Sequence, residues 1–368
     1  MSAAGAALAE LDTPALLIDL DALEANLAEM AAVAGRAGVG LRPHTKTHKS
    51  PEIARMQVAA GAAGITCAKL GEAEVMADAG LDDLLVAFPL VGEDKLRRLG
   101  ELLERARVRV SLDSVEVAEG LGRVGARLGR DVEVLVEVDT GLHRLGRPPG
   151  PPTAELVGRV ARVPGVEVVG LLTHAGHAYR ARDRDELRLL AEREVLDLVE
   201  TAALCRRAGV ELREISVGST PTARIGAFVE GVTEIRPGTY ALNDATMVRL
   251  GVATEDRVAV RVLATVVARP SGQRFVVDAG SKCFTTDGMG TVPDWVVVAG
   301  RPGLHMDFLS EEHGVGHRSG AGDLRIGDRL QLLPSHACTC VNLFDLAYGV
   351  RGDRVECELP IAGRGKVR

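Results

Sequence analysis

Two textures of apolar and polar positions divide this chain. From about residue 39 to residue 236, short β-branched runs trade places with longer stretches rich in Ala, Leu, Glu and Arg, whose apolar residues recur every three or four positions. The short runs predict strands over Val39–Arg42, Gly64–Ala68, Asp83–Phe88, Val108–Asp113, Val132–Asp139, Glu167–Thr173, Glu211–Val217 and Val232–Arg236. The longer ones predict helices over Leu23–Ala37, Pro51–Ala60, Glu72–Ala79, Glu93–Ala106, Val115–Leu128, Thr153–Arg162 and Asp185–Ala208. Several helices start at a capping residue or an N1 proline, as at Ser50-Pro51, Asp113-Ser114 and Pro152-Thr153. Eight strands alternating with helices predict an α/β fold, a (β/α)8 barrel. The rival is a doubly wound open sheet, but no Gly-x-Gly-x-x-Gly follows a strand.

After about Ala241 helical spacing fades. Val258–Val267, Arg274–Asp278, Trp295–Ala299, Arg329–Leu333 and Val355–Leu359 read as strands punctuated by Gly and Asp. The expected division is a barrel over residues 21–242 and a β domain over 243–368, with residues 1–20 grouped with the second. The run Pro14–Leu20 precedes the barrel and is also a candidate to join it.

Composition narrows the class of partner. The 368 residues exceed what one hydrophobic core usually supports. A net charge of −7 gives no reason to expect nucleic acid or an anionic membrane. No apolar run reaches the ~18 residues needed to span a bilayer, and Met1–Glu10 lacks a basic start and a long apolar stretch. A cytoplasmic protein without a signal peptide is expected. The six cysteines are spread too thinly for a disulfide framework.

Lysine usage changes the picture more. The chain has six lysines among its 44 Lys and Arg, and two fall within Lys46–Lys49. Arginine replaces lysine in surface charge but cannot form an imine, so a retained lysine is a candidate for covalent chemistry; a solvated basic turn is the plain alternative. Polar residues crowd the ends of the predicted strands, where barrels carry their chemistry. His44, Lys46 and His48 follow the first strand and Lys69 the second. The fifth ends in Asp139-Thr-Gly-Leu-His-Arg144 and the sixth in His174-Ala-Gly-His177-Ala-Tyr179. Gly218-Ser219-Thr220 and Gly238-Thr239-Tyr240 follow the last two, where barrels often hold phosphate, though a plain turn needs the same residues. Farther on, His336-Ala-Cys338 offers an imidazole and a thiolate. If the segment is a strand, both face one side and suit Zn²⁺ at an open site; Cys340 is a third donor or a bystander.

Arg42-Pro-His-Thr-Lys-Thr-His-Lys49-Ser-Pro-Glu, Glu137-Val-Asp-Thr-Gly, Gly218-Ser-Thr-Pro-Thr, Arg236-Pro-Gly-Thr-Tyr, Glu311-Glu-His-Gly and Pro334-Ser-His-Ala-Cys run in order along nearly the whole chain. Together they resemble the D-serine dehydratase and D-threonine aldolase family, fold-type III pyridoxal 5′-phosphate (PLP) enzymes with an alanine-racemase-like barrel. The resemblance implies a homodimer with PLP on Lys46 as a Schiff base and a divalent metal on His336 and Cys338. A thiolate ligand favours Zn²⁺ over Mn²⁺ or Mg²⁺. Gly218, Ser219, Thr220, Gly238, Thr239 and Tyr240 are the candidate cofactor contacts. Arg144 is a candidate for the ring phenolate or a substrate carboxylate, with a surface salt bridge as the alternative; Tyr179 is a candidate for the pyridine nitrogen, with a buried, satisfied hydroxyl as the alternative. The substrate implied is a small D-3-hydroxy amino acid. The position two after the histidine is typically Asp in the aldolases and Cys in the dehydratases; Cys338 and the His174–Tyr179 loop resemble the dehydratase side. Water elimination to a 2-oxo acid and ammonia, with Lys46 as general base, is therefore the expected reaction. The alternative is aldol cleavage to glycine and an aldehyde, with His177 a candidate base. No strong match to the second-base tyrosine of alanine racemases is present. A non-catalytic PLP carrier is the remaining alternative, against which the extra β domain and the His336/Cys338 pair speak.

Overall fold

The computed structural model describes residues 3–286, 296–319 and 323–368. They form two units: one of Met1–Leu27, Thr47–Ile53 and Thr239–Arg364, the other of Ala28–Lys46, Ala54–Gly238 and Gly365–Arg368.

The second of these is built on eight parallel strands: β2 (Gly40–Leu41), β3 (Ile65–Cys67), β4 (Asp83–Val86), β5 (Arg107–Leu112), β6 (Val132–Glu137), β7 (Val166–Leu172), β8 (Glu214–Val217) and β9 (Glu234–Ile235). Their order is β2-β9-β8-β7-β6-β5-β4-β3, and a parallel bridge between His44 and Thr66 joins the two ends. All eight predicted strands are present; six are shorter than predicted, while β5 and β7 keep their predicted length and start one residue earlier, and the polar residues at the strand ends leave the ladder for loops. The helices are α1 (Leu20–Ala37), α2 (Pro51–Ala59), α3 (Leu70–Asp78), α4 (Glu93–Leu103), α5 (Val115–Leu128), α6 (Pro151–Val160), α7 (Arg184–Arg207) and α8 (Thr220–Gly226). Burial of Leu85, Leu135, Val169 and Leu172 makes one cluster of the core. Glycine in α5 costs helix propensity, about 1 kcal/mol per residue, but a Cβ on Gly125 would stand 2.2 Å from the carbonyl oxygen of Gly165. Only glycine lets the turn before β7 pass that close.

The barrel interior is not wholly apolar. Arg42, 3% exposed, donates to Glu234 and to Asp83, each at 2.7 Å. Arg109, equally buried, reaches Glu214 at 2.7 Å and Asp83 at 2.9 Å. Burial raises the Asp83 carboxyl, but Arg42 and Arg109 outweigh it and hold the group below its usual range. Glu234 also accepts from Ser216 Oγ at 2.6 Å, and Ser216 Oγ accepts from Arg236 Nη1 at 2.5 Å. Each buried charge thus has partners, the condition under which charges survive inside proteins. The chain of contacts ends on an arginine at a strand end.

The other unit carries β1 (Ala15–Asp19), β10 (Val260–Ala268), β11 (Arg274–Val277), β12 (Val296–Val298), β13 (Leu304–Leu309), β14 (Gly314–Arg318), β15 (Arg329–Pro334), β16 (Leu346–Arg351) and β17 (Arg354–Pro360). Their order is β11-β14-β13-β12-β15-β10-β1-β16-β17, and β11 also pairs with β10. That pairing closes six antiparallel strands into a ring and leaves β1, β16 and β17 as an extension. Two short helices, α9 (Ala245–Arg249) and α10 (Ala337–Val341), follow β9 and β15.

Here the structure chooses between the two placements offered for Pro14–Leu20 and adds three strands to the sequence reading. The run Pro14–Leu20 does not enter the parallel barrel: β1 lies antiparallel to β10 and parallel to β16. Its Ala15 and Leu17 pack with Leu11, Leu263, Val350 and Val355, so its apolar side chains are spent in this core. Three strands, β13, β14 and β16, carry no clear strand signal. β13 and β14 expose His305, Asp307 and His317, and the buried positions of β14 include Gly314 and Gly316. A Cβ on Gly316 would meet the His305 carbonyl oxygen at 2.3 Å and Phe275 at 2.6 Å, so close packing enforces a residue of low strand propensity. Trp295, at the start of a predicted strand, lies outside the described residues. Among the described residues no helix is long and apolar enough to cross a membrane.

Candidate functional site

Within the barrel unit a cavity opens at the C-terminal strand ends. It is lined by His44, Lys46, Ala87, Glu137, Arg144, Leu172, His174, Gly218 and Arg236. Short strands explain the convergence. β2 stops at Leu41 and the chain turns at once through Thr45–Thr47, a single 3-10 turn containing Lys46. Next to it, buried Thr45 donates through Oγ1 to the Thr66 carbonyl at 3.0 Å and to Glu72 at 2.7 Å. Glu72 in turn accepts from the Ala68 N–H at 2.9 Å. The lysine is therefore carried on a turn whose neighbour is anchored to the following strand and helix.

The electrostatics of the cavity are cationic. Burial, and then Lys46, His174, Arg236 and Arg144, push His44 well below the ordinary histidine value. Burial, Lys46, Arg144 and Arg236 do the same to His174, opposed by a hydrogen bond to the Gly218 backbone. Both imidazoles are neutral at pH 7. Arg236 is held by Ser216 and by the Thr173 carbonyl, which it reaches at 2.5 Å. Arg144 is half exposed and lies 3.8 Å from Glu137. Burial raises the Glu137 carboxyl, against Arg144 and Arg236. A primary amine, two guanidinium groups and two neutral imidazoles facing one carboxylate make a basin for an anionic, carbonyl-bearing ligand. PLP has that chemistry, so the residues present fit it.

The buried imidazoles carry a pH signature. A histidine depressed in the folded state contributes stability above its unfolded value of about 6.5, and that stability is lost as pH falls through 6.5 towards the folded value. Each adds a slope of about 1.4 kcal/mol per pH unit in that window. Buried Glu137 and Glu194, both raised, act in the opposite sense. The expected result is thus a difference: cofactor-free protein loses stability below pH 6.5 more steeply than a His44→Gln/His174→Gln variant, followed by urea denaturation at stepped pH. Parallel curves would mean that the two rings are not held neutral.

Other predicted residues sit elsewhere. His177 and Tyr179 occupy a 3-10 turn, Gly176–Arg180, and do not line the cavity. The His177 ring lies over Gly141, whose added Cβ would meet it at 3.3 Å. Its Nδ1 is buried with no hydrogen-bond partner among the described residues, and burial lowers its pKa while Asp139 opposes the shift. The N–H of Gly218 is taken by the buried carboxylate of Glu194 at 2.9 Å, and that of Ser219 by Thr222 Oγ1 at 3.0 Å. Of the expected phosphate-cradling amides, these two are engaged within the protein. Lys69 stands over the Phe88 ring, 3.4 Å from its centre.

Sequence reading placed His44, His174 and Arg236 at strand ends without giving them roles; their position was the available signal. Glu194 carried none. It lies mid-helix in α7, yet also accepts from the Ala175 N–H at 3.3 Å, so it ties the loops after β7 and β8 together.

In the other unit His336 and Cys338 are not on a strand. β15 ends at Pro334, His336 is the N-cap of α10 and Cys338 is its second residue. The strand argument for a shared face is therefore withdrawn, although the imidazole–thiol donor chemistry stands and suits a soft divalent ion. Cys338 Sγ lies 3.2 Å from Thr47 Oγ1 and 3.9 Å from Thr239 Oγ1. Cys340 is engaged elsewhere: its fully buried thiol donates to the Cys283 carbonyl at 3.2 Å, and burial raises it. Among the described residues no group of three or more His, Cys, Asp or Glu gathers as a metal cage. Tyr240 is fully buried in the 3-10 turn Thr239–Ala241.

Comparison with known proteins agrees with this architecture. Residues 18–246 match the alanine racemase N-terminal domain, and residues 259–350 a putative serine dehydratase domain. A D-threo-3-hydroxyaspartate dehydratase of Delftia sp. (strain HT23) is 38% identical over 89% of this chain and 91% of its own. A solved D-threonine aldolase from Filomicrobium marinum is 36% identical, covers 99% of each chain and superposes with a TM-score of 0.92. A solved D-threo-3-hydroxyaspartate dehydratase, a Cys-to-Ala variant in the metal-free form, is 35% identical over 96% of this chain and 98% of its own, with a TM-score of 0.89. The chain therefore belongs to the alanine-racemase N-terminal-domain family, in the branch with a serine dehydratase domain, and is a PLP-dependent lyase.

Proposed function

We propose that this protein eliminates water from a D-3-hydroxy amino acid, giving a 2-oxo acid and ammonia. The observation that carries the reading is Cys338, two positions after His336, where the resembling dehydratases typically have Cys and the aldolases typically Asp. The cationic cavity around Lys46 supports the cofactor part. PLP, when bound, supplies an electron sink for negative charge at Cα. Lys46 would hold the cofactor and, once displaced by the substrate amine, take the proton from Cα as general base. Arg144 and Arg236 would hold anionic groups, and the neutral rings of His44 and His174 would orient them without adding charge. Tyr179, Ser219, Thr220, Gly238, Thr239 and Tyr240 are proposed cofactor contacts. His336 and Cys338 would hold a divalent ion, Zn²⁺ in preference to Mn²⁺ or Mg²⁺, which supplies Lewis acidity at the β-oxygen. The acting molecule is read as a homodimer.

One observation favours a second reading. His177 Nδ1 has no partner among the described residues, which leaves a ring nitrogen uncommitted; in aldol cleavage to glycine and an aldehyde it would have to reach the β-hydroxyl proton from outside the cavity lining. Product identification decides between the two. Incubation with D-serine, D-threonine and D-threo-3-hydroxyaspartate is expected to yield 2-oxo acid and ammonia in equal amounts. Glycine with an aldehyde as the main products would replace the first reading by the second, and turnover of none of the three would overturn both.

A further inference from the structure

α10 is capped in an unusual way. Its N-cap is His336, yet the imidazole makes no capping hydrogen bond to the helix. A serine, threonine, asparagine or aspartate at the N-cap normally supplies that acceptor. Here the N–H of Ala337, the first of the helix, is accepted by Asp244, 93 positions away in the chain, at 3.0 Å to Oδ2. The other carboxylate oxygen accepts from the Met247 N–H at 3.0 Å and so caps α9. Beside it, Thr246 Oγ1 donates to the Ser335 carbonyl at 2.7 Å. The backbone that bears His336 and Cys338 is thus gripped at Ala337, between the two donors, and at Ser335, just before the first. Both grips come from the start of α9.

Asp244 is 1% exposed, and Ser335 and Ala337 are wholly buried. A carboxylate so far from water is retained at a large desolvation cost. Capping α9 alone does not require it, since Ser or Asn would serve. Two acceptor oxygens and a full negative charge are what Asp adds, and both are useful beside a pair of donors for a cation. Outer groups that hold metal ligands in place have a measurable share in metal affinity.

We propose that Asp244 is a positioning residue of a divalent-metal centre at His336 and Cys338, setting the backbone between the two donors and placing a negative charge near the ion without ligating it. This rests on the reading of His336 and Cys338 as the metal donors. The test is equilibrium titration of Zn²⁺ into the chelator-stripped full chain, in competition with a chromophoric chelator. Asp244→Asn, which keeps the shape, is expected to bind Zn²⁺ about 10- to 100-fold more weakly. Thr246→Val, which removes only the Ser335 grip, is expected to weaken it less, and serves if Asp244→Asn does not fold. PLP absorbance and thermal unfolding of the metal-free variants are read in parallel. Unchanged Zn²⁺ affinity in folded Asp244→Asn and Thr246→Val proteins would overturn the proposal, as would lost metal-free stability with unchanged affinity, the mark of a merely structural cap. His336→Ala and Cys338→Ala controls separate the two levels. If those bind Zn²⁺ like the parent, the donor assignment itself fails; if they lose it while Asp244→Asn does not, only the role of Asp244 fails.

Discussion

Replacing Lys46 by Ala is expected to abolish the visible imine absorbance of bound PLP and to lower turnover by about 10²- to 10⁴-fold through loss of the general base alone. The expectation follows from where the amine stands. Lys46 is on the cavity wall with Arg144 and Arg236, and its turn is anchored through Thr45 and Glu72. With six lysines in the chain, borohydride reduction and peptide mass spectrometry give a sharp readout. The pyridoxyl group should appear on Lys46 and be absent from the Ala variant. A label on Lys49 or Lys69, or a visible spectrum that survives Lys46→Ala, would remove Lys46 from the centre of the mechanism.

The second large effect is expected at His336 and Cys338. Stripping the divalent ion with a chelator, or replacing either residue by Ala, should lower turnover by about 10²-fold or more while leaving the PLP absorbance in place. Lewis-acid assistance to a departing hydroxide is worth several kcal/mol, and each 1.36 kcal/mol is a factor of about ten in rate. The split between the two readouts is the informative part. Loss of both together would point to unfolding or to a role in holding PLP, and full turnover after chelation would take the metal out of the reaction. Cys340→Ser is the control: its thiol is spent on the Cys283 carbonyl, so it should leave metal dependence unchanged.

Much of the architecture was legible in the sequence. Strands and helices of the barrel announce themselves because each buries one face or both, and burial imposes a local period on the residues that face the core. Clustering of His, Lys, Arg and Tyr at strand ends was legible for the same reason, since the pattern marks where each strand stops. What escaped had no local period. β14 needs Gly314 and Gly316 for close packing, so its sequence looks like a turn. Glu194 looks like any helix residue, although it bonds the Ala175 and Gly218 amides. The engaged N–H groups of Gly218 and Ser219 could not be foreseen, because glycine and serine suit both a plain turn and a phosphate cradle.

The sequence by itself determined the alternation of elements, the family resemblance, and the candidate lysine and donor pair, because these depend on residue type and near spacing. Tertiary structure alone decided that β1 pairs with β10 and β16, that His336 and Cys338 sit at a helix start, and that His44 and His174 are buried among cations and kept neutral. The physical reason is common to all three. Pairing partners, caps supplied from 93 positions away and the field at a buried ring are sums over residues distant in the chain, and a local pattern does not encode them.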